Sequence, residues 1–345
     1  MSAEKILILG PSWVGDMVLA HSLFQTLKTQ RPNAIIDVAA PAWTLPLIAR
    51  MPEINRGIAL PFKHGQPALL DRIKFGLSLK KQGYTQSITL VNSLKSAILP
   101  LAAGISQRTG FLGECRYGLL NDIRPLDKAK LPRTVDRFVA LGADKNQSQG
   151  QNNASIPNPR LIADSNNALQ ALSNLGQNAP TTKVLGLCPG AEYGEAKRWP
   201  AEYYAEVANA ALSHGWQVWL FGSEKDLPVT QEINRLANNR CLDFGGKTKL
   251  GDAIDLMSLC DTVISNDSGL MHVAAALDKK VIAIYGSSDP HHTPPMHPDA
   301  VVAYLGLNCS PCFKRLCPLS EPDAHLACLK KLTPQSIIQD IKFLA

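Results

Sequence analysis

The segment KILILGPSWVGDMV, residues 5–18, joins a short apolar run to a glycine-containing turn and then to a helical pattern. Lys5–Leu9 is typical of a buried parallel strand. From Val14 to Lys28 the apolar residues recur at helical spacing. A strand that passes through a tight turn into a helix predicts the first βα unit of a parallel sheet.

The same alternation recurs along the chain. Further short strand-like runs lie at 34–39, 57–60 and 87–91, and again at 183–188, 217–221, 262–265 and 281–285. Between the two arrays the polar segment DKNQSQGQNNASIPNP, residues 144–159, is the predicted linker. We therefore expect an α/β fold of two doubly wound parallel sheets. Ligands would bind beyond the carboxyl ends of the strands, in a cleft between the sheets.

Length and composition narrow the class of protein. The 345 residues suffice for about two domains. Hydrophobic residues make up 45% of the chain and charged residues 19%, which excludes a disordered protein. No apolar run approaches the ~20 residues that span a bilayer, and Ile6–Leu9 is too short for a signal-peptide core. We expect a cytoplasmic protein, in which a disulfide framework is not favoured.

Positive charge is concentrated in the first part of the chain. Residues 1–150 hold 19 Lys and Arg against 10 Asp and Glu, a net charge of +9, whereas the remainder has 16 against 19, a net −3. This distribution favours an anionic partner for the first half, such as nucleic acid, phospholipid head groups or acidic glycans. A solvated basic surface would give the same count.

The turn after the first strand is the first candidate ligand site. Gly10 and Gly15 let the backbone approach a ligand closely, and the following helix presents free N–H groups. The middle glycine of the GxGxxG dinucleotide fingerprint is absent, although Asp37 lies 22 residues after Gly15, at the spacing of a ribose-binding acid. Asp16 is either a helix cap or a general base.

A second turn, CPGAEYGEAKRWP at 188–200, has the composition of a diphosphate cradle. Gly190 and Gly194 make the loop permissive, and Lys197 and Arg198 bring positive charge beside the start of the next helix. The loop lacks the GxxxxGK[ST] pattern of a P-loop. A solvated basic loop is the alternative interpretation.

Two further strand ends carry polar side chains. At the first, Ser268 and Gly269 offer backbone N–H groups to an anion, and Asp267 can cap the helix or bind sugar hydroxyls. His272 lies one helical turn beyond Ser268 and is either a ligand contact or a structural histidine. At the second, Glu224 either accepts hydrogen bonds from ribose hydroxyls or caps a helix.

Half of the eight cysteines fall within 20 residues, at Cys309, Cys312, Cys317 and Cys328. Four thiolates can hold a structural metal, but the second pair lacks the CxxC spacing of a zinc ribbon. Reduced packing thiols and a redox pair are the alternatives.

Together these motifs resemble the ADP-heptose–lipopolysaccharide heptosyltransferases, glycosyltransferase family 9, over nearly the whole chain. The segments that carry the resemblance are GPSWVGDMV (10–18), APAW (40–43), RTGFLGECRYGLLND (108–122), CPGAEYGEAKRWP (188–200) and NDSGLMHVAAAL (266–277). The resemblance implies the GT-B arrangement of two Rossmann-like domains. We expect an acceptor-binding domain at 1–155, an ADP-sugar-binding domain at 160–332 and a C-terminal helix at 333–345. Packing on the N-terminal domain is one option for this helix.

The resemblance also implies an inverting transfer of L-glycero-D-manno-heptose from ADP-heptose to the first heptose of heptosyl-Kdo2-lipid A. By this resemblance Asp16 matches the base, Lys197 a donor phosphate and sugar contact, and Glu224 the ribose contact. The other implied substrate-binding residues are Gly15, Gly190, Asp267, Ser268, Gly269 and His272. Where the first heptosyltransferase has a Thr pair, this chain has Glu192 and Tyr193, which favours the enzyme that adds the second heptose.

The implied partners are the donor, the lipid-anchored acceptor and the anionic inner leaflet of the inner membrane, on which the protein would be peripheral; nucleic acid is not expected. No cofactor is required, and a structural metal at the four late cysteines stays open. The alternatives are a heptosyltransferase for the first or a later heptose, a nicotinamide-dependent oxidoreductase, and a non-catalytic nucleotide- or metal-binding module.

Overall fold

The computed structural model describes residues 4–62, 65–143 and 156–343. The chain divides into two compact units, Met1–Leu161 and Ile162–Ala345. Most of the predicted linker, at 144–155, lies outside the described residues. Its end returns to the first unit, since the Ser22 hydroxyl donates to the Pro157 carbonyl (2.6 Å) and the Arg160 N–H donates to His21 Nδ1 (3.1 Å).

The first unit is built on a parallel sheet. Its described strands are β1 (Lys5–Leu9), β2 (Ile35–Ala40), β3 (Arg56–Ala59), β4 (Gln86–Thr89), β5 (Gln107–Phe111) and β6 (Asp122–Arg124). Its described helices are α1 (Val14–Gln30), α2 (Leu45–Ile48), α3 (Leu69–Leu79), α4 (Ile98–Ala102) and α5 (Thr134–Gly142). The strand order β3-β2-β1-β4-β5-β6 reverses direction between β1 and β4. Open α/β sheets bind ligands beyond the carboxyl ends of the strands at such a reversal.

The second unit repeats this topology. Its described strands are β7 (Val184–Cys188), β8 (Gln217–Leu220), β9 (Leu242–Asp243), β10 (Thr262–Asn266), β11 (Lys280–Ile284) and β12 (Val301–Ala303). Its described helices are α6 (Ser165–Asn174), α7 (Ala201–Ser213), α8 (Leu227–Leu236), α9 (Leu250–Met257), α10 (Gly269–Ala276), α11 (Ala327–Lys330) and α12 (Pro334–Ile341). The order β12-β11-β10-β7-β8-β9 is the same as in the first unit when read from β9, and it reverses between β7 and β10.

The central strands consist of continuous apolar runs because helices cover both faces of each sheet. Ile6, Leu7 and Ile8 of β1 are fully buried, and so is every residue of β7. Helices α1 and α5 pack closely because Gly142 of α5 has no side chain. A Cβ at this position would come within 2.5 Å of Leu23 on α1. No helix in the described residues is long and apolar enough to cross a membrane.

The last helix packs within the second unit. Ile337 and Ile341 of α12 are buried in the same core as α7, and the Gln335 amide donates to Glu206 on that helix (3.3 Å). Lys280 at the start of β11 donates to the Ile341 carbonyl (3.1 Å). The apolar face of α12 is thus buried in the core of the second unit, and packing of the C-terminal helix on the N-terminal domain stays a prediction.

Asp37 is a structural residue of the first unit and does not bind a nucleotide ribose. It is fully buried on β2 and accepts hydrogen bonds from Asn55 Nδ2 (2.8 Å), Arg56 Nε (2.9 Å) and the Tyr84 hydroxyl (2.5 Å). Burial and the carboxylate raise the pKa of Tyr84 to about 12, so the phenol remains a donor. Since three protein donors already occupy this carboxylate, Asp37 gives the nicotinamide interpretation no support.

Replacing Asp37 with alanine should destabilise the first unit. The change leaves Tyr84 and Asn55 without their acceptor and Arg56 without its counter-ion, which should lower the free energy of unfolding by about 3 kcal/mol. Urea unfolding would measure the loss, with Asp71→Ala on the exposed face of α3 as the matched control. Equal unfolding midpoints for the two variants would contradict a structural role for Asp37.

Candidate active site

Both sheets carry the predicted site residues at their reversal points. In the first unit the loop 10–13 follows β1 and residues 90–92 follow β4. In the second unit the 189–199 loop follows β7 and residues 267–269 follow β10. Since parallel strands end at the same edge of a sheet, each pair of loops shares one edge, as ligand binding in such folds requires.

The first unit has a cavity of about 270 Å³ at this edge. Its lining residues come from the loops after β1, β4 and β6, from the end of β5 and from α1 and α5: Pro11, Ser12, Trp13, Asp16, Leu90, Val91, Asn92, Phe111, Leu126, Thr134, Arg137 and Phe138. The cavity thus combines aromatic and aliphatic walls with a carboxylate and a guanidinium. Sugars, which have apolar C–H faces and polar edges, suit such a lining.

Asp16 is the third residue of α1 and lines this cavity. A carboxylate in the first helical turn interacts favourably with the free N–H groups there. Gly15 is the second residue of the same helix. Gly10 lies in the turn, where a Cβ would come within 2.6 Å of Met17 Cε, so a larger residue there would have to displace the end of the Met17 side chain.

Arg137 is a site residue that the sequence interpretation missed. Its Nε donates to the Leu131 carbonyl (2.9 Å) and its Nη2 to the Pro132 carbonyl (3.1 Å), and burial lowers the pKa of the guanidinium. These acceptors are neutral, so they orient the cation without cancelling its charge. The helical spacing of Val135 and Phe138 would have revealed α5 and hence Arg137.

In the second unit Asn266 fixes the 189–199 loop. This fully buried side chain, at the end of β10, donates from Nδ2 to the Pro189 carbonyl (2.6 Å). Its Oδ1 accepts from the Trp199 N–H (3.1 Å) and from the Tyr204 hydroxyl (3.0 Å). One amide therefore holds both ends of the loop against the carboxyl edge of the sheet.

Lys197 and Asp267 form an ion pair across this edge. Lys197 Nζ lies 2.5 Å from Asp267 Oδ2, and the two side chains are only 18% and 6% exposed. The ammonium also lies 5.2 Å from the centre of the Tyr193 ring. The arrangement brings together the two loops at the reversal point and places a cation beside the start of α10.

His272 lies on α10 within the field of this ion pair. Burial lowers its pKa to about 4, while Asp267 opposes and Lys197 adds to the shift. The imidazole is therefore neutral at physiological pH. Its buried Nδ1 has no hydrogen-bond partner among the described residues, so it can donate to or accept from a ligand.

The start of α10 has the backbone arrangement that can bind an anion. Ser268 precedes the helix and its hydroxyl lies 3.1 Å from the Ser265 hydroxyl, while Gly269 is the first helical residue. The first N–H groups of a helix have no partner within the helix, and they attract an anion. Asp267, Ser268, Gly269 and His272 are thus brought together with Lys197, as the sequence predicts.

Gly190 lets the 189–199 loop pass close to the end of β8. A Cβ at this position would lie within 2.5 Å of the Asp226 carboxylate, which itself accepts from the Ser223 N–H (2.9 Å). Glu224 lies between these residues, exposed at the start of the short helical turn after β8. Its carboxylate is therefore accessible at the same edge of the sheet.

Further buried polar atoms at this edge have no hydrogen-bond partner among the described residues. Besides His272 Nδ1 they are Arg198 Nε, Ser287 Oγ and Ser288 Oγ. Buried polar groups are usually satisfied, and each exception calls for an explanation. The two serines lie in the loop after β11 and were not singled out in the sequence, although YGSS at 285–288 has the strand-to-turn pattern of the other loops.

The four late cysteines are all free thiols. Burial and the nearby Cys309, Cys312 and Cys317 raise the pKa of Cys328 to about 11. Across the described part of the chain, no three or more His, Cys, Asp or Glu side chains are arranged to hold a metal ion. A metal at these cysteines stays a prediction from spacing.

The cysteine segment does contact the 189–199 loop, which its distance in sequence did not predict. The Ala196 N–H donates to the Arg315 carbonyl (3.0 Å) and the Tyr193 hydroxyl to the Phe313 carbonyl (2.8 Å). A Cβ at Gly194 would overlap the Arg315 carbonyl oxygen. The segment therefore supports the loop that carries Lys197.

Comparison with known proteins gives consistent matches. A model of glycosyltransferase family 9 (heptosyltransferase) matches residues 72–322. The chain is 41% identical over 347 residues to lipopolysaccharide heptosyltransferase 2 of Escherichia coli K12, covering 99% of this chain and 98% of that protein. It is 44% identical over 308 residues to lipooligosaccharide heptosyltransferase 2 of Haemophilus influenzae, covering 87% and 88%.

A solved structure of a heptosyltransferase also matches this chain over nearly its full length. The structure of E. coli ADP-heptose lps heptosyltransferase II superposes with a TM-score of 0.85 at 40% identity, covering 98% of this chain and 97% of that one. The GT-B fold class expected from the sequence is confirmed by this match and by the two sheets of identical strand order.

The lowered pKa of His272 predicts a loss of stability in acid. The unfolded chain binds a proton on this histidine near pH 6.5, whereas the folded chain does so only near pH 4. The contribution of the neutral His272 side chain to the free energy of unfolding is thus complete above pH 6.5 and is lost as the pH falls towards 4. A His272→Gln variant should lose less free energy of unfolding than the native chain between pH 7 and 4.5 in urea titrations. Identical pH dependence would contradict a buried neutral imidazole.

Proposed function

Because the chain belongs to glycosyltransferase family 9, the heptosyltransferases, we propose that it moves L-glycero-D-manno-heptose from ADP-heptose to the first heptose of the lipopolysaccharide inner core. The acceptor would be heptosyl-Kdo2-lipid A. The names of its relatives, heptosyltransferase 2 and ADP-heptose lps heptosyltransferase II, support this choice of donor and acceptor. The observation that carries the proposal is the Lys197–Asp267 pair beside the start of α10.

The donor diphosphate binds at this pair. Its negative charge attracts the Lys197 ammonium, and the free N–H groups of Ser268 and Gly269 add hydrogen bonds. Gly190 allows the diphosphate to approach the loop backbone. The exposed Glu224 carboxylate accepts from the ribose hydroxyls, and neutral His272 supplies its unpartnered Nδ1 to the donor.

The acceptor sugar binds in the first-unit cavity. The cavity of about 270 Å³ accommodates one sugar ring and its substituents, and Trp13 offers a flat apolar face to the C–H groups. Asp16 faces a hydroxyl of this sugar. Arg137 supplies a cation for the carboxylates or phosphates of the inner core, because a guanidinium binds both groups in bidentate fashion.

The proposed reaction is a single displacement with inversion. The Asp16 carboxylate takes the proton of the acceptor hydroxyl, and the oxygen forms a bond to the anomeric carbon of the heptose. The bond from that carbon to the diphosphate oxygen breaks on the opposite face, and ADP leaves with the electron pair. Lys197 and the N–H groups of α10 stabilise the charge that develops on the leaving diphosphate.

We propose that this reaction requires no metal cofactor, because Lys197 and the helix start lie where the leaving-group charge develops. We also propose that the protein works at the anionic inner leaflet of the inner membrane as a peripheral protein of the cytoplasm. The net charge of +9 in residues 1–150 supports this location, since an anionic surface attracts basic segments.

Acceptors that carry zero, one or two heptoses test the proposal directly. Incubation with ADP-heptose should extend the one-heptose acceptor fastest, with inversion at the new linkage, and added EDTA should leave the rate unchanged. Mass spectrometry of the product would measure the rate of extension, with and without EDTA, and NMR would give the configuration of the new linkage. Preferred extension of the zero- or two-heptose acceptor would assign the chain to the first or a later step, and no transfer to any acceptor would refute the proposal.

The Asp16→Asn variant tests the base. General-base catalysis typically contributes about 10²–10⁴-fold, so kcat should fall by that order, while the affinity for ADP, measured by calorimetry, stays unchanged. Asp71→Asn on the same unit is the matched control and should keep full activity. A near-native kcat for Asp16→Asn would rule out its role as base.

A further inference from the structure

Helix α3 exposes an apolar stripe. Leu70 is 72% and Leu77 54% exposed, and Leu69 and Ile73 are also exposed. These positions lie on one side of the helix, because residues three and four apart are neighbours. A monomeric globular protein rarely exposes a contiguous row of this kind without a binding partner.

The apolar residues of this stripe are exposed because the other side of α3 is packed against the first unit. Leu79 on the other side of the helix is buried, and Gly76 packs against α4, where a Cβ would come within 2.6 Å of the Leu99 carbonyl oxygen and 2.7 Å of the Ala102 Cβ. This close contact fixes the rotation of α3. The helix therefore cannot turn its leucines inward.

Lysines border the stripe. Lys74 lies one turn from both Leu70 and Leu77, and Lys80 and Lys81 follow at the end of the helix, all of them exposed. Asp71 is the one acidic residue between 69 and 82. Beyond the helix, α4 adds the half-exposed Leu101, so the apolar character extends past α3.

We propose that α3 is the membrane-docking element of this protein and that its occupant is the surface of an anionic lipid bilayer. This rests on the proposed function, in which the acceptor is lipid-anchored. The four apolar side chains enter the boundary between head groups and acyl chains, while the lysines contact lipid phosphates. Charge complementarity selects a bilayer, because the stripe is bordered by cations in a unit of net positive charge.

Binding to vesicles of phosphatidylglycerol and phosphatidylethanolamine tests the apolar part. The double variant Leu70→Ser, Leu77→Ser should bind at least about tenfold more weakly than the native chain in sedimentation assays. The matched control, Leu169→Ser with Leu305→Ser, removes two exposed leucines of the second unit and should bind within twofold of the native chain. Equal binding of all three proteins would overturn the proposal.

A second pair of variants tests the charges. Lys74→Gln with Lys81→Gln should weaken binding about tenfold or more at low salt, and high salt should remove most of this difference. Lys330→Gln with Lys331→Gln, in the second unit, is the control and should have little effect. Native binding that is unchanged from low to high salt, or is equal on neutral phosphatidylcholine vesicles, would overturn the proposal.

Transfer to a soluble, deacylated acceptor separates this inference from the proposed function. The α3 variants should keep native rates on that acceptor and lose rate only on acceptor embedded in vesicles. If the native chain binds vesicles through α3 yet transfers no heptose, the proposed function fails and the docking surface stands. If the native chain is a dimer that the leucine variants dissociate, a second copy covers α3 and the membrane proposal is wrong.

Discussion

The Asn266 amide determines the shape of the second unit's ligand edge. It holds the two ends of the 189–199 loop through Pro189 and Trp199, from a fully buried position at the end of β10. Two contacts at this edge depend on that loop: Lys197 reaches Asp267, and Gly190 lies over Asp226. A loop fixed from within holds the Lys197 cation in place before any ligand binds, and fixed charges of this kind are the ones that favour electrostatic catalysis.

The two units use the same topology for different chemistry. In both, the ligand edge lies where the strand order reverses. The second unit offers helix N–H groups and a lysine paired with a carboxylate, which suits a phosphate that exchanges for that carboxylate. The first unit offers the Asp16 carboxylate, an oriented Arg137 and aromatic walls around one cavity, which suits a sugar that must be deprotonated. The proposed donor and acceptor sites thus lie in two copies of one fold.

The local patterns of the sequence predicted the elements that bury apolar residues continuously. β1 was predicted with the observed bounds, and α1 and β7 within a few residues, because apolar periodicity alone determines them. β5 was missed, since its buried Thr109 is satisfied by Asp122 of β6, a pairing across 13 residues that no local pattern reveals. The candidate site residues on strand-to-helix turns were predicted from their glycines and charges. Asn266 and Arg137 were not, because their roles depend on contacts made only in the folded chain.

The affinity of the protein for ADP tests the central claim most directly. Titration calorimetry of the Lys197→Met variant should show ADP binding at least about tenfold weaker than in the native chain, because a charge-assisted contact is lost and Asp267 is left to repel the diphosphate. The exposed Lys330→Met variant of the same unit should bind ADP as the native chain does. Unchanged ADP affinity in Lys197→Met would contradict the assignment of this edge as the donor diphosphate site.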